Sequence, residues 1–600
     1  MFGLVKLIDL LGIEFNYFYS PKVIDIVIFS SSVDLWIWAV SLLFIMLTIL
    51  WKRIFHKFSF PRWTIPIYGF WLASLAVFLV DYRIALLLAI PLGLLVVSLS
   101  VFFVDGFLAA KRLEASSLVL MGIVGMLIPL ELASVSSWVF NAFNYEVPFG
   151  SDVRWRFPLF DLQLFNVLYP FIPLLFMILL YGWIWIPALR FGLSRIGRRN
   201  DSSIQPTARL GNRSLAFGLI LSSAVSVFVT CYPYVHLPSS ALVGVDSQQY
   251  YAWLEGMMQK GPGSAFGTDR PIFNLLMYFV KYVTALSPEA VVRIMPAIIA
   301  VGLGLAVFWF VREGTNDERL ALLSSLFSAF SFQTTVGMFA YSLANWFAII
   351  ETFLLLVFLL KGSKNHSWRC MLMSGLLGIA VLLTHPYTWD VLMIVLIMYL
   401  AWTFLRRSEG KWQIAPLAVL LLANLLFYVF YGLAPFGKGV GQGNGGVLNA
   451  ARANIGFPSL LRLQNGLGLM VSNWVGGLFG NPLMIILAIA GMFAIIEFTR
   501  SLTNFNRIVL LWVIIPSLAL FAMSPAQEVL YYRLVYIIPI QILAAIGLRT
   551  IFNRIEDAER KLKLNPTHSY ILRILLFTLV VLLLLNYSLR SVDEAMITTT

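Results

Sequence analysis

Asp246 stands in the stretch VGVDSQQYYAWLEGM, residues 243–257, and is followed by Gln248, Gln249, Tyr250, Tyr251, Trp253 and Glu255. A positioned carboxylate can accept a proton from a hydroxyl. Amides and aromatic rings hydrogen-bond to sugars and stack on them. Gln248, Tyr250, Tyr251 and Glu255 thus form a polar, aromatic surface suited to a sugar, and GTDRPIFNLL brings Asp269 and Arg270 to the same region. A second explanation of Asp246 is structural: an N-cap whose oxygen bonds a first-turn amide of a helix starting at Ser247.

These residues must be held by a chain that is 60% hydrophobic and 12% charged over 600 residues. No soluble core of that size needs so much apolar surface, and the apolar runs are continuous over about 17–25 residues, which excludes a β-barrel. The expectation is an all-α polytopic membrane protein. The formal charge of +13 falls in short loops between apolar runs, a topology signal and not a nucleic-acid one. Cys231 and Cys370 are placed near opposite faces, so no disulfide framework is implied. The opening twenty residues, with Asp9 and Glu14 and no small-residue cleavage site, read as an interfacial helix.

Basic clusters mark the cytoplasmic side: WKRIFHKF (51–58), KR (111–112), RFGLSRIGRR (190–199), RRSEGK (406–411) and the run from Arg549 to Arg573. Between them lie apolar spans near 34–51, 63–80, 84–104, 115–138, 163–188, 214–235, 291–311, 319–336, 345–361, 370–385, 388–405, 413–433, 481–498, 508–523, 533–549 and 572–590. That makes about sixteen transmembrane helices with both termini outside. RPIFNLLMYFVKYVTALS (270–287) is short and carries Lys281 in its middle. Counting it as a span would put REGTNDER (312–319) outside and invert every later basic loop. It is therefore expected to lie on the outer surface as an interfacial helix.

On this topology Asp246 is extracytoplasmic, in the loop after the sixth span. The other sizeable outer segments are 139–162, 434–480 and 524–533, none long enough for an ordinary soluble domain. GKGVGQGNGG (437–446) follows no strand and opens no helix, so it reads as a flexible loop and not as a phosphate cradle. Of the histidines, His236 and His385 are expected outside, and no His/Cys cluster has zinc spacing. His385, in THPYTWD at an outer helix end, is either a cap or an acceptor contact. Glu131 and Glu351 lie inside spans, where an acid usually faces the bundle.

The order of these features resembles the glycosyltransferase C superfamily, integral membrane enzymes that use polyprenyl-phosphate-linked sugars and include protein O-mannosyltransferases and lipid A aminoarabinose transferases. The likeness lies in Asp246 in an early outer loop, then DRPIFNLLMYFVKYVTALSPEAVVRIMPAIIAVGLGLAVFWFVRE (269–313), then SPAQEVLYYRLVYIIPIQILAAIGL (524–548). It covers residues 214–590, which makes 214–600 a catalytic membrane domain and 1–213 an N-terminal extension of about five spans without a counterpart. The chain departs from the family where Asp246 is followed by Ser247 instead of a second acid, and where Ile272 stands in place of a second proline.

The resemblance implies an inverting glycosyltransferase of the prokaryotic cell membrane, working on the extracytoplasmic face. Asp246 would be the general base. Arg533, beside Glu528, Tyr531 and Tyr532, and with it Arg270, would bind the donor phosphate. Gln248, Tyr250, Tyr251, Glu255, Asp269, His385 and Tyr532 would contact substrate. Arg533 also has a plainer reading, an interfacial anchor at the head of a span. No cofactor is implied; a divalent metal is possible but not favoured, because one carboxylate seldom holds it without substrate phosphate. The partners are a polyprenyl-phosphate sugar, an acceptor protein, glycan or lipid, and membrane lipids, with no nucleic acid. The rival readings are a lipid-linked-sugar transporter or flippase and a membrane scaffold.

Overall fold

A computed structural model describes residues 172–193, 210–235, 241–268, 270–406, 411–433, 481–498, 503–522, 535–562, 566–593 and 597–599. The first five expected spans fall outside the described residues, apart from the end of the fifth. That end forms α1 (Ile172–Leu180) and α2 (Gly182–Leu193). Asp269, Tyr532 and Arg533 also lie outside them.

The described chain is helical, and five of its helices are long and apolar enough to cross a membrane. In chain order they are α3 (Asn212–Cys231, continued by a 3-10 turn to Val235), α6 (Pro288–Thr315), the run α7 (Glu318–Ser328) and α8 (Phe332–Ala340), α9 (Leu343–Asn365) and α11 (Pro386–Arg406). Two surface helices, α4 (Ser247–Lys260) and α5 (Pro271–Thr284), precede α6, and α10 (Trp368–Thr384) and α12 (Lys411–Leu433) flank α11. Later come α13 (Pro482–Phe498), α14 (Asn504–Ala522), α15 (Ile540–Leu562) and α16 (Pro566–Asp593). One strand pair adds to the helices: β1 (Ala241–Val243) runs antiparallel to β2 (Ile597–Thr599).

Local chemistry sets the helix ends. Pro271 and Pro288 open α5 and α6, where the missing N–H costs nothing. Ser287 caps α6 by accepting from Ala290 N–H at 3.3 Å, and Asp317 caps α7 by accepting from Arg319 and Leu320. Ala285, Asn316 and His366 close α5, α6 and α9 in the left-handed region.

Besides the fifth, which breaks at Tyr181 between α1 and α2, two expected spans are interrupted. The run 319–336 breaks at Ala329–Ser331, and the run 533–549 breaks at Ile537–Pro539, between helical Val535–Tyr536 and the helix that starts at Ile540. At the second break Gln333 donates its amide to the carbonyls of Tyr536 (2.7 Å) and Ile538 (2.8 Å). Tyr536 hydroxyl returns a bond to Gln333 carbonyl at 2.8 Å. Carbonyls exposed by a proline break must find donors inside a membrane, and a buried amide supplies them here.

Small residues let helices meet closely. Ser222 and Ser325 hydroxyls lie 2.9 Å apart, joining α3 to α7. A Cβ at Gly491 of α13 would strike the carbonyl oxygen of Leu543, and one at Gly547 of α15 that of Leu487.

The chain divides into two compact units, Ile172–Thr550 with Tyr587–Thr600, and Met1–Phe171 with Ile551–Asn586. In the second, Arg573 pairs with Glu556 at 3.7 Å and Phe552 meets Phe577 at 6.5 Å. All site residues discussed below belong to the first.

Candidate functional site

The segment carrying Asp246 is fastened before it turns. Arg293 of α6 donates Nε (2.9 Å) and Nη2 (2.5 Å) to the carbonyl of Ala241 in β1. Gly244 then takes φ 98°, and a side chain there would collide with Met338 carbonyl and the Tyr341 ring. Val245 and Asp246 N–H groups bond the carbonyls of Phe339 (3.0 Å) and Ala340 (3.2 Å) at the end of α8. Asp246 occupies the N-cap position of α4, but its side chain makes no capping hydrogen bond. Ser247 hydroxyl instead donates back to Gly244 carbonyl at 2.8 Å. The capping explanation therefore does not account for the carboxylate, which stands half-buried at the turn.

One turn into α4, Tyr250 is fully buried. Its hydroxyl oxygen accepts from Arg270 Nη1 at 2.7 Å and from Ala344 N–H, in the first turn of α9, at 3.1 Å. The Arg270 guanidinium rests 5.7 Å from the Tyr250 ring centre and 5.5 Å from that of Trp253. Phe273 and Tyr341 complete the aromatic packing around Tyr250, at 5.3 and 5.9 Å. Burial pushes the Tyr250 phenol up; Arg270 opposes this and the Asp246 charge adds to it. Asp246, Tyr250 and Arg270 thus share one electrostatic environment.

The residue after Ala344 extends the connection. Thr388 hydroxyl donates to Asn345 Oδ1 at 2.7 Å, and the buried His385 ring contacts the same hydroxyl through Nδ1 at 2.9 Å. His385 therefore joins the corner where α9, α10 and α11 meet, tied through the start of α9 to Tyr250. Tyr251 and Glu255 form their own pair on α4: the phenol donates to Glu255 Oε1 at 2.6 Å. That bond, first among the causes, raises the Tyr251 phenol to about 12. Gln248 is exposed on the outer side of α4.

The structure thus brings together Asp246, Tyr250, Arg270 and, one link away, His385, while Tyr251 and Glu255 lie one turn along α4. Trp253, noted in the sequence but given no role there, joins them, as do Asn345 and Thr388, which were not singled out. Trp253 was legible in principle, being three residues after Tyr250 and so on the same helix face. Asn345 and Thr388 carried no signal, because their meeting depends on how α9 and α11 cross. Among the described residues, no group of three or more His, Cys, Asp or Glu side chains could hold a metal ion.

Chemically, the arrangement offers a half-buried carboxylate that makes no capping hydrogen bond to α4. Beside the same phenol is a guanidinium that donates to it and rests against two ring faces. Compared with known proteins, the chain matches no family model and no curated sequence.

Proposed function

We propose that the protein is an inverting glycosyltransferase that takes a sugar from a polyprenyl-phosphate donor on the extracytoplasmic face of a prokaryotic cell membrane. It would be built from about sixteen spans, with residues 214–600 as the catalytic membrane domain and 1–213 as an extension. The observation that supports this reading is that a carboxylate and a guanidinium, Asp246 and Arg270, both act on the buried Tyr250 phenol, to which Arg270 donates at 2.7 Å.

In the reaction, Asp246 takes the proton of an acceptor hydroxyl as its oxygen attacks the anomeric carbon. The bond from that carbon to the phosphate oxygen breaks on the opposite face, and the lipid phosphate leaves with the electron pair. Arg533, with Arg270, stabilises the negative charge that develops on the phosphate. The leaving group needs little protonation, so no second acid is required. Asp269, Tyr532, Gln248, Tyr251 and Glu255 contact the sugar or the acceptor, and His385 contributes from its corner.

Membranes from expressing cells, incubated with labelled undecaprenyl-phosphate mannose, glucose and arabinose, provide the test. Transfer of label to protein, glycan or lipid, lost in Arg533→Lys, supports the reading; lysine keeps the charge but not the fork. Absence of transfer from all donors overturns it.

One feature favours the transporter reading: Glu351 is buried within the candidate span α9. Purified protein that moves the labelled donor across vesicles without consuming it would establish that alternative.

A further inference from the structure

Asp246 follows closely on β1, so whatever fixes β1 fixes where the turn begins. Two supports are near at hand. Arg293 of α6 donates to the Ala241 carbonyl and sets its guanidinium 5.3 Å from the Tyr234 ring. Past the strand, the Phe339 and Ala340 carbonyls of α8 take the N–H groups of Val245 and Asp246. The third support comes from a segment remote in sequence. β2 pairs with β1 so that Ile597 stands opposite Val243, Thr598 opposite Leu242 and Thr599 opposite Ala241. Ala241, Leu242 and Val243 are fully buried. Buried main-chain groups need partners inside the protein, and β2 provides them along the ladder.

β2 is itself anchored. It follows α16, where Tyr587, Ser588, Leu589, Ser591 and Val592 are buried. Ser588 hydroxyl donates to the Phe330 carbonyl at 3.5 Å, inside the break between α7 and α8. α8, which runs from that break to the Asp246 turn, and β2 therefore approach the turn from a shared base. We infer that β2 is a strap that positions the Asp246 carboxylate, by holding β1 in register while Gly244 makes the turn. Its effect on the reaction rests on the function proposed above; the strap itself does not.

Hydrogen–deuterium exchange on the full chain in detergent reads the strap directly. Deleting residues 594–600 should speed exchange at the amides of residues 241–246 by roughly tenfold or more, while the amides of α9 keep their protection. Unchanged exchange at 241–246 overturns the strap. Protection lost equally in α9 overturns it too, since the segment would then support the whole unit and not the turn. Proline tests the ladder without shortening the chain. Alternate N–H groups of a paired strand face the partner, so Thr598 faces one way and Ile597 and Thr599 the other. Of Thr598→Pro and the double variant Ile597→Pro with Thr599→Pro, the one that removes N–H groups facing β1 should reproduce the deletion. Exchange like that of the parent in both overturns the pairing.

A second arm reads function. The deletion should lower kcat for transfer from undecaprenyl-phosphate mannose by roughly tenfold and leave donor KM unchanged, because a displaced base slows the chemical step without touching donor binding. No loss, or a loss carried entirely by KM, overturns the positioning role. If the unsubstituted protein transfers no sugar, the proposed function fails, and the exchange measurement still decides the strap.

Discussion

Two charged regions of the same unit are built on opposite plans. At the loop REGTNDER, every described acid has a cation or an amide. Glu318 pairs with Arg312 at 2.8 Å and accepts from Leu210 N–H at 2.9 Å. Asp317 pairs with Arg549 at 3.0 Å while capping α7. Lys364 reaches Glu313 at 3.8 Å and Asn316 at 3.3 Å. At the Asp246 turn, the supports seen for Arg270 are a phenol and two ring faces, and the carboxylate caps nothing. Charges neutralised against each other fasten helices together. A guanidinium set against a phenol and ring faces is held in one position and orientation by them.

The sharpest test of this contrast is Asp246→Asn. Asparagine fits the same space, and there is no side-chain cap to lose, so thermal stability should hold. Transfer should fall by roughly 10²–10⁴-fold. Unchanged transfer would mean that the carboxylate has no chemical role, and the contrast would be only one of packing.

At the REGTNDER loop the pattern should reverse. Asp317→Ala removes the carboxylate that pairs with Arg549 and the cap of α7, and should cost about 3 kcal/mol in a detergent unfolding assay. The specific activity of the surviving folded fraction should be unaltered; a selective loss of turnover would tie this loop to the site.

Tyr250→Phe leaves both Arg270 and the Ala344 N–H without their acceptor. Loss of transfer by about tenfold, with most of the change in donor KM, is expected. An effect on stability alone would make the phenol a packing element.

The smallest effect belongs to Tyr251→Phe, on the exposed side of α4. The Tyr251 phenol rises from 10.0 to about 12 in the fold. Its contribution to stability is therefore present below pH 10 and lost as pH rises through the folded value. Pairwise melts from pH 8 to 12 should converge at the alkaline end; a constant gap would show that Glu255 does not hold the phenol.

Much of the helix plan was legible because apolar length is written in composition. The expected spans 291–311 and 345–361 sit inside Pro288–Thr315 and Leu343–Asn365. Lys281 and the short apolar run likewise separated α5 from the spans. The interruption at Ala329–Ser331 was not legible, since small residues are compatible with a continuous helix. The later break was not legible either: 533–549 reads as one span although it contains Pro539, and nothing pointed to its partner Gln333, about two hundred residues away in sequence. The site was legible as a list of reactive groups and not as a network. Asp246 reads as an ideal cap, and only the fold around Gly244 shows Ser247 bonding back to the turn instead.

The crossing of Gly491 and Gly547 has a mechanical consequence. Where two helices touch through side chains, rotamers can shift and the spacing can adapt. Here backbone meets backbone, and no rotamer exists to absorb a change. The separation of α13 and α15 at that point is a constant of the structure, set by van der Waals radii. Relative motion of these two helices is restricted to rotation about the crossing, so displacement grows with distance from it. The crossing is a fulcrum, and the helix ends are where its leverage is felt.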